Sequence, residues 1–324
     1  MNVLLTNEKS SLDFGAKTTL LARFIESLKV SFASACFHEI LKPFSVKEYV
    51  DHQNMIVMVN RGQVKLKDGK GYAPEGSFYF FPAGKPVSLQ FGIEPSDEID
   101  KIQFDAEANR PKYYRSLKSS DDFNHIREYV TVVRFDVQLF GIISFFESLS
   151  IPVFRMPANE ELGFLLRHLV IEQESNKLGH DKITNNYMEE LLIYLCRYIE
   201  SQPTFNVLLN KLDFLADKRL LEIVNFIGKN LDRDLSNKNL AKIAFVSEDY
   251  VGQFFKSLTG TNLQDYVEGQ RLEKALVLIK TQPDDIHEIA MKVGFKDAAY
   301  FSRRFKIKFG ANANSLRQNK VQLA

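Results

Sequence analysis

Along the first third of the chain, hydrophobic positions recur with a period of two, from about Phe32 to Phe104. Turn signals rich in Gly, Pro, Asn and Asp interrupt this pattern at intervals of roughly ten residues. The apolar runs between the turns predict β-strands at Met55–Val59, Gln63–Lys67, Ser77–Phe81 and Val87–Phe91. Short strands at this spacing predict a small antiparallel barrel or sandwich.

From about Glu160 the apolar spacing becomes that of helices. One predicted helix has an apolar stripe of Leu162, Leu165, Leu166, Leu169 and Val170, and the next has one of Met188, Leu191, Leu192, Leu195 and Ile199. This helical pair either packs beneath the β-domain or pairs with a second copy of itself, and the two interpretations are compatible. Two further runs, Thr131–Phe135 and Phe140–Phe146, fit a strand or a helix equally well.

A pattern of residues occurs twice in the last third of the chain, from Leu240 to Gly260 and from Ile289 to Gly310. Each copy predicts a short helix, a tight turn and a second helix with a basic outer face. A long helix from about Leu263 to Lys280 joins the copies. Two such units in tandem are typical of a protein that reads duplex DNA at two places. The positions that are identical fifty residues apart are Tyr250 and Tyr300, Phe255 and Phe305, Lys256 and Lys306, and Gly260 and Gly310.

Together these patterns predict an α+β protein with three parts. Residues 1–155 form a β-rich domain, residues 156–212 form a helical segment, a candidate for dimerisation, with a linker, and residues 213–324 form an all-α DNA-binding domain. The linker falls in the stretch Ser201–Leu212, which contains Gln202-Pro203-Thr204.

The charge distribution agrees with a polyanion-binding C-terminal domain. Residues 217–324 hold 18 Lys and Arg against 13 Asp and Glu, whereas residues 1–216 hold 24 against 28. Two cysteines cannot build a disulfide framework, and the N-terminal residues show no signal-peptide pattern. The apolar runs are too short to span a bilayer. We therefore expect a cytoplasmic protein that does not enter the membrane.

The second helix of the second copy has distinct inner and outer faces. Phenylalanines recur every four residues over Phe301–Phe309 and predict the buried side. Ala299, Tyr300 and Arg303 lie about half a turn away and are predicted to face outward. An arginine can bond bidentately to guanine, and a small alanine permits contact with a thymine methyl group. Asp297 is a suitable N-cap for this helix.

The corresponding helix of the first copy has Val251 and Phe255 on its predicted inner face. Asp249, Gly252 and Gln253 lie outside, and a glutamine can read adenine. Glycine within a helix costs about 1 kcal/mol relative to alanine. Gly252 therefore indicates either that the backbone of this helix approaches the DNA closely or that the first unit reads bases more weakly than the second.

Other residues on the basic faces are candidates for phosphate contacts, which position a protein on DNA without reading its sequence. The joining helix, at about 1.5 Å per residue, spans roughly 27 Å. That length suits two helices inserted about one duplex turn apart, near 34 Å. The candidate phosphate ligands are Ser247, Lys256, Lys306 and Lys308.

The tandem repeat closely resembles the AraC family of bacterial transcription regulators over about Asp217–Gln318. The resemblance rests on L-A-x6-Y-V-x3-F-K-x3-G at Leu240–Gly260, R-L-x2-A at Arg271–Ala275, and I-A-x2-V-G-F-x-D-x2-Y-F-S-R-x-F-K at Ile289–Lys306. It implies that the second helix of each unit enters the major groove. By position, the implied base-reading residues are Asp249, Gly252, Gln253, Ala298, Ala299, Tyr300 and Arg303.

The resemblance also implies the roles of the rest of the chain. Family members often carry an N-terminal cupin-like barrel that binds a small effector, and helices that form a homodimer. Met58, Phe80 and Phe91 are candidates to line such an effector pocket, although residues of this kind are also typical of a plain core. The family implies activation by contact with RNA polymerase, and repression stays open.

Two other interpretations remain. A metal-dependent cupin enzyme with a DNA-binding tail would need ligands such as His38, Glu39, Glu48 and His52, but the H-x-H pair of metal cupins is missing. A regulator without a small ligand would respond to its own abundance or to a protein partner. We expect no catalytic residue, metal or cofactor.

Overall fold

The β-rich part of the molecule consists of two sheets. The computed structural model describes residues 20–66, 71–93, 97–100, 104, 110–175, 177–209, 212 and 217–318. Its strands are β1 (Leu28–Ile40), β2 (Phe44–Tyr49), β3 (Asn54–Arg61), β4 (Val64–Leu66), β5 (Phe78–Phe81), β6 (Val87–Phe91), β7 (Asp97–Ile99), β8 (Tyr114–Leu117), β9 (Tyr129–Leu139), β10 (Ile143–Ser144) and β11 (Phe154–Met156).

The larger sheet has the order β11-β5-β3-β9-β1-β8, with β10 beside β9, and the smaller sheet has the order β4-β6-β2-β7. The four predicted strands are confirmed as β3 to β6. The prediction of an antiparallel arrangement is wrong at one place, because β2 and β7 pair in parallel. An apolar cluster that includes Val57, Tyr79, Val132 and Leu89 lies between the sheets.

Strand β3 is buried on both faces. Met55, Val57 and Val59 pack between the sheets, whereas Ile56 and Met58 pack on the opposite side, against helices. A strand covered on both sides is a continuous apolar run rather than an alternation. The sequence therefore shows that β3 is a strand without showing which residues face which layer.

The helices follow the spacing predicted from the sequence. Those of the first two thirds are α1 (Leu20–Phe24), α2 (Arg110–Tyr113), α3 (Phe145–Ser148), α4 (Glu160–Glu174), α5 (His180–Ser201) and α6 (Asn206–Leu209). Those that follow are α7 (Lys218–Lys229), α8 (Asn237–Ile243), α9 (Glu248–Thr259), α10 (Leu263–Thr281), α11 (Ile286–Lys292), α12 (Ala298–Phe309) and α13 (Ala313–Gln318).

Helices α4 and α5 pack against each other and on β1 of the larger sheet. Asn159 caps α4 by accepting a hydrogen bond from the Leu162 amide at 2.7 Å. The interpretation in which this pair packs against the β-domain is thus confirmed. The ambiguous run at 131–135 lies within strand β9, and the run at 140–146 divides between a turn, β10 and the start of α3.

The stretch from 201 to 212, predicted as a linker, contains a 3₁₀ turn at Pro203–Phe205 and helix α6. Phe205 and Leu209 are buried, and the Phe205 ring lies 5.2 Å from the ring of Phe154 on β11. Part of this stretch therefore packs on the N-terminal half. Among the described residues, no helix combines the length and the apolar character needed to cross a membrane.

The C-terminal region contains two helix-turn-helix units. The first is α8 and α9, the second is α11 and α12, and α10 joins them. The second unit has its own core, which includes Ile289, Phe301 and Phe305. Helices α9 and α12 both end at a left-handed glycine, Gly260 and Gly310, as their places in the repeat require.

Candidate nucleic-acid interface

The second helix of the second unit begins at a strong N-cap. The Asp297 carboxylate accepts hydrogen bonds from the amides of Ala299 at 2.7 Å and Tyr300 at 3.2 Å. These bonds, from Tyr300 and then from Ala299, hold the pKa of Asp297 below its ordinary value. The cap leaves the start of α12 well defined at the surface, where a recognition helix has to meet the groove.

The outward face of α12 carries the side chains that were predicted there. Ala299 and Arg303 are exposed and Ala298 is half-buried, while Phe301 and Phe305 are completely buried on the inner face. Within the part of the chain that the structure describes, the Arg303 guanidinium forms no hydrogen bond or salt bridge, although its charge helps to lower the pKa of Asp297. Its donors are therefore available to an acceptor on another molecule.

Tyr300 is exposed by 41%, but its hydroxyl is already bound. It donates a hydrogen bond to Glu268 Oε2 on the joining helix at 2.5 Å, which raises the pKa of Tyr300. Arg304 Nε donates to the other Glu268 oxygen at 2.5 Å. These two hydrogen bonds hold α12 against α10, on the side of α12 that adjoins its own outward face.

The outward face of α9 is less basic. Asp249 and Gln253 are exposed, and Gly252 is half-buried, while Val251 and Phe255 are completely buried. A methyl group added at Gly252 would lie 3.4 Å from the side-chain nitrogen of Asn237, an ordinary contact. The packing within the chain therefore does not require glycine at this position.

The candidate phosphate ligands differ in whether their side chains already have a partner within the described part of the chain. Ser247, Lys256 and Lys306 are exposed on the reading helices and at the start of α9. Lys308, in contrast, forms an ion pair with Glu273 at 2.9 Å and donates to the Gly269 carbonyl at 3.2 Å. Its ammonium group is directed to the joining helix.

Sequence reasoning missed Glu268 and Gln264, and it noticed Arg271 only as part of a motif. Arg271 donates to the carbonyls of Leu231 at 2.9 Å and Arg233 at 2.8 Å. The signal available was the spacing of the three polar residues on α10, four and then three apart, which places them on one face. Their partners lie about thirty or more residues away, and the spacing does not identify them.

The N-terminal half contains a second candidate site, a cavity of about 60 Å³ between the two sheets. This volume suits a few water molecules or a very small group. Of the three residues predicted to line an effector pocket, Phe91 lines this cavity. Met58 and Phe80 do not, because they lie on the other face of the larger sheet, in the apolar cluster that also contains residues of α4 and α5.

A polar cluster stands at one side of the cavity. Arg134 Nε donates to Asp51 Oδ2 at 2.9 Å, and the Tyr49 hydroxyl donates to the same oxygen at 2.9 Å. Burial opposes ionisation of Asp51, but hydrogen bonds with Arg134 and with the Gln53 amide outweigh it and lower the pKa of Asp51. Burial raises the pKa of Tyr49 to about 12. The cluster is therefore a partly buried ion pair with a neutral phenol beside it.

The residues considered for a metal site do not converge. His38 Nε2 lies 2.9 Å from Cys36 Sγ, and Glu39 forms an ion pair with Arg115 at 2.5 Å. Across the residues described, no group of three or more His, Cys, Asp or Glu side chains is placed to hold a metal ion. The arrangement gives no support to a metal-dependent reaction at this place.

Comparison with known proteins bears on the C-terminal region. Residues 240–319 match a family described as "Helix-turn-helix domain". The Transposon Tn10 TetD protein of Escherichia coli is 31% identical over 130 residues, which cover 38% of this chain and 94% of TetD. The HTH-type transcriptional regulator MtrA of Neisseria gonorrhoeae is 27% identical over 51% of this chain and 55% of MtrA. The chain thus spans about half the length of MtrA.

Among solved structures, a transcriptional regulator from Chromobacterium violaceum, described as containing an AraC-type DNA-binding domain, is 25% identical. The match covers 33% of this chain and 95% of that one, with a TM-score of 0.30. The sequence relationship to TetD extends over nearly the whole of that protein. The residues that match the helix-turn-helix family include both units. The chain therefore belongs to the AraC family and is a DNA-binding transcription regulator with its helix-turn-helix domain at the C-terminal end.

Proposed function

We propose that the chain binds a promoter by inserting α9 and α12 into two adjacent major-groove segments. The observation that carries this proposal is the presence of two reading helices with exposed outer faces, α9 and α12, in the two units that the 19-residue helix α10 joins. At about 1.5 Å per residue, α10 is roughly 28 Å long. Two insertions on one face of B-DNA lie about one turn, or 34 Å, apart.

Base recognition on this proposal is unequal between the two units. Arg303 binds guanine in the major groove, Ala298 and Ala299 let the backbone of α12 approach, and the Tyr300 ring makes apolar contact. Asp249, Gly252 and Gln253 face the groove from α9, and only Gln253 has donors suited to adenine. The exposed, unpaired guanidinium of Arg303 supports the larger share for the second unit.

Phosphate contacts on this proposal come from Ser247, Lys256 and Lys306, which are exposed beside the reading faces. Lys308 contributes less, because its ammonium is paired with Glu273. Each lysine that neutralises a phosphate releases a counterion and adds about one unit to the salt dependence of binding.

The N-terminal half is proposed to be a cupin-like regulatory domain that binds a small-molecule effector. The apolar cavity beside Phe91 and the ion pair of Arg134 with Asp51 support a very small effector with an apolar part and a polar end. Binding would shift the population between two arrangements of the reading helices. A screen of metabolites by thermal shift tests this role, and a shift that Arg134→Ala abolishes would support it.

Dimerisation is proposed to use the outer faces of α4 and α5. Phe164 is exposed by 48%, and Ile171 and Ile183 by 38% and 39%. Apolar side chains on a helical face gain stability when a second copy covers them. The resulting homodimer would act in the cytoplasm as an activator that contacts RNA polymerase, without enzymatic activity. Sedimentation of the wild type against Phe164→Asp tests the dimer, which the variant should weaken.

The experiment that tests DNA reading is selection of binding sites from a random duplex library, followed by affinity measurements at several salt concentrations. We expect a selected motif with two short blocks about ten base pairs apart. We also expect the logarithm of affinity to fall linearly with the logarithm of salt concentration. A single block would contradict reading by both units, and no enrichment would contradict the proposal as a whole.

A further inference from the structure

One face of the joining helix α10 carries three polar side chains in register. Gln264, Glu268 and Arg271 are four and three residues apart, so they lie above one another on the helix surface. We call this face the polar seam. An exposed polar stripe usually faces water, but every member of this one bonds to another element of the DNA-binding domain.

The seam holds the segment that leads into the first unit. Arg271 donates to the carbonyls of Leu231 at 2.9 Å and Arg233 at 2.8 Å. Gln264 Nε2 donates to the Leu235 carbonyl at 3.0 Å and to the Asn237 side chain at 2.9 Å. Residues 231–237 enter α8 directly, so these bonds fix where the first unit starts relative to α10.

The same seam holds the reading helix of the second unit. Glu268 receives hydrogen bonds from Tyr300 and Arg304, both at 2.5 Å, and its side chain is exposed by only 17%. Tyr300 and Arg304 are one turn apart on α12. A single carboxylate with two partners on one helix restricts both the translation of that helix along α10 and its rotation about its own axis.

The turn before α12 also packs against the polar seam, at Arg271. Gly294 has a φ of +94°, and a methyl group there would lie 2.8 Å from Arg271 Nε and 2.3 Å from the Leu231 carbonyl oxygen. Arg271 therefore lies between the lead-in of the first unit and the turn of the second. Helix α10, the lead-in of the first unit and the turn of the second unit therefore meet around the Arg271 guanidinium.

We propose that the polar seam, through Glu268 and Arg271, determines the spacing between the two base blocks that the protein accepts. The inference rests on the proposed reading of DNA by α9 and α12. Moving one block by one base pair shifts it by about 3.4 Å and rotates it by roughly 35° around the duplex. Two reading helices held rigidly by the seam cannot follow such a change, whereas loosely connected helices can. Glu268 and Arg271 are positioning residues that act through α12 and α8 and touch no base.

The test is a set of duplexes that carry the two selected blocks at the preferred separation and at one base pair more or less. The full-length wild type, Glu268→Gln and the control Asp265→Asn are titrated against each duplex. Asp265 is an exposed acid on the same helix whose charge also acts on Tyr300 and Arg304, but among the residues described it forms no hydrogen bond or salt bridge with them. Both variants remove one negative charge from α10, so a general electrostatic change affects them alike.

For the wild type and Asp265→Asn we expect about a tenfold loss of affinity when the separation changes by one base pair, the scale of a mismatched base pair. For Glu268→Gln we expect the loss to shrink to threefold or less, because α12 is free to adjust. A Glu268→Gln protein that binds more weakly at all three separations but keeps the tenfold loss would overturn the proposal, since the seam would then only stabilise the fold.

Tyr300→Phe provides a second, milder variant that keeps the ring and removes one of the two bonds to Glu268. It should lower the spacing penalty partway, and an unchanged penalty in both variants would overturn the proposal even if Glu268→Gln folded poorly. Failure of the wild type to bind the duplexes at any separation would instead remove the proposed DNA reading, on which the inference depends.

Discussion

Gly294→Ala is expected to destabilise the second helix-turn-helix unit severely. Gly294 occupies the turn between α11 and α12 with a φ of +94°, a conformation that costs a residue with a side chain about 1–3 kcal/mol. The added methyl carbon would also lie 2.3 Å from the Leu231 carbonyl oxygen, a contact that the backbone has to relieve by moving.

The movement has a further cost, because the Leu231 carbonyl accepts the hydrogen bond from Arg271 Nε at 2.9 Å. Loss of a hydrogen bond to a charged group costs about 1.5–3 kcal/mol. Since the two contributions overlap when the same backbone shift relieves both, we expect a total of about 2–5 kcal/mol. We expect this loss of stability in the second unit in particular, because that unit has a separate apolar core.

Hydrogen exchange of the full-length protein, followed by mass spectrometry on peptides that cover α11 and α12, measures this local opening. The free energy of opening should fall by the stated amount in Gly294→Ala. Values within about 0.5 kcal/mol of wild type would refute the reasoning, because that is the range of ordinary surface substitutions.

The first unit provides a matched control substitution, for which the expected change in local stability has the opposite sign. Phe245 stands at the position equivalent to Gly294, has a φ of +53° and is exposed by 89%. Phe245→Gly relieves the left-handed strain, worth about 1–2 kcal/mol, and loses little packing. Peptides that cover α8 and α9 should therefore be unchanged or more protected, and a marked loss of protection would show that the ring has a partner in solution.

Three other predictions concern binding and pH. Arg303→Ala should lose about 1–3 kcal/mol and relax the preference at one or two base pairs, and unchanged selectivity in duplex titrations would show that α12 is misplaced in the proposed complex. Lys256→Ala should weaken binding to all sequences and flatten the salt slope by about one unit, whereas Lys308→Ala, already paired within the chain, should flatten it less; equal slopes would contradict this difference. The hydrogen bond to Arg134 helps lower the pKa of Asp51, so its contribution to stability is present above about pH 4 and is lost as the pH falls through the folded pKa. Melting temperatures of Asp51→Asn should therefore depend less on pH between about 2 and 5 than those of the wild type, and an equal acid dependence would rule out this role.

The repeat in the last third could be predicted from the sequence because its signals are local. Phenylalanines one turn apart predicted the buried side of α12, and Phe301 and Phe305 are completely buried there. Gly260 and Gly310, fifty residues apart, both end their helices in the left-handed conformation. A helix-turn-helix unit is short, and its caps, turn and apolar stripe all lie within about twenty residues.

Contacts over long distances in the chain could not be predicted in this way. The apolar run of β3 is buried on both faces, so nothing in it distinguishes Met58, which faces the helices, from Val57, which faces the cavity. The sequence predicts Lys308 as a phosphate ligand from its place on the basic helix, but Glu273 lies 2.9 Å away from its ammonium group on another helix. The polar seam was missed for the same reason, since the partners of Glu268 lie more than thirty residues later in the chain.

The central claim, that two helices of one chain read two segments of the major groove, is tested most directly by dimethyl sulfate protection on the selected site. This reagent methylates guanine N7, an atom in the major groove. The wild type should protect guanines in two patches about ten base pairs apart on one face of the duplex. Arg303→Ala should lose protection in one patch and keep the other. A single protected patch, or loss of both patches in Arg303→Ala at saturating protein, would contradict the account.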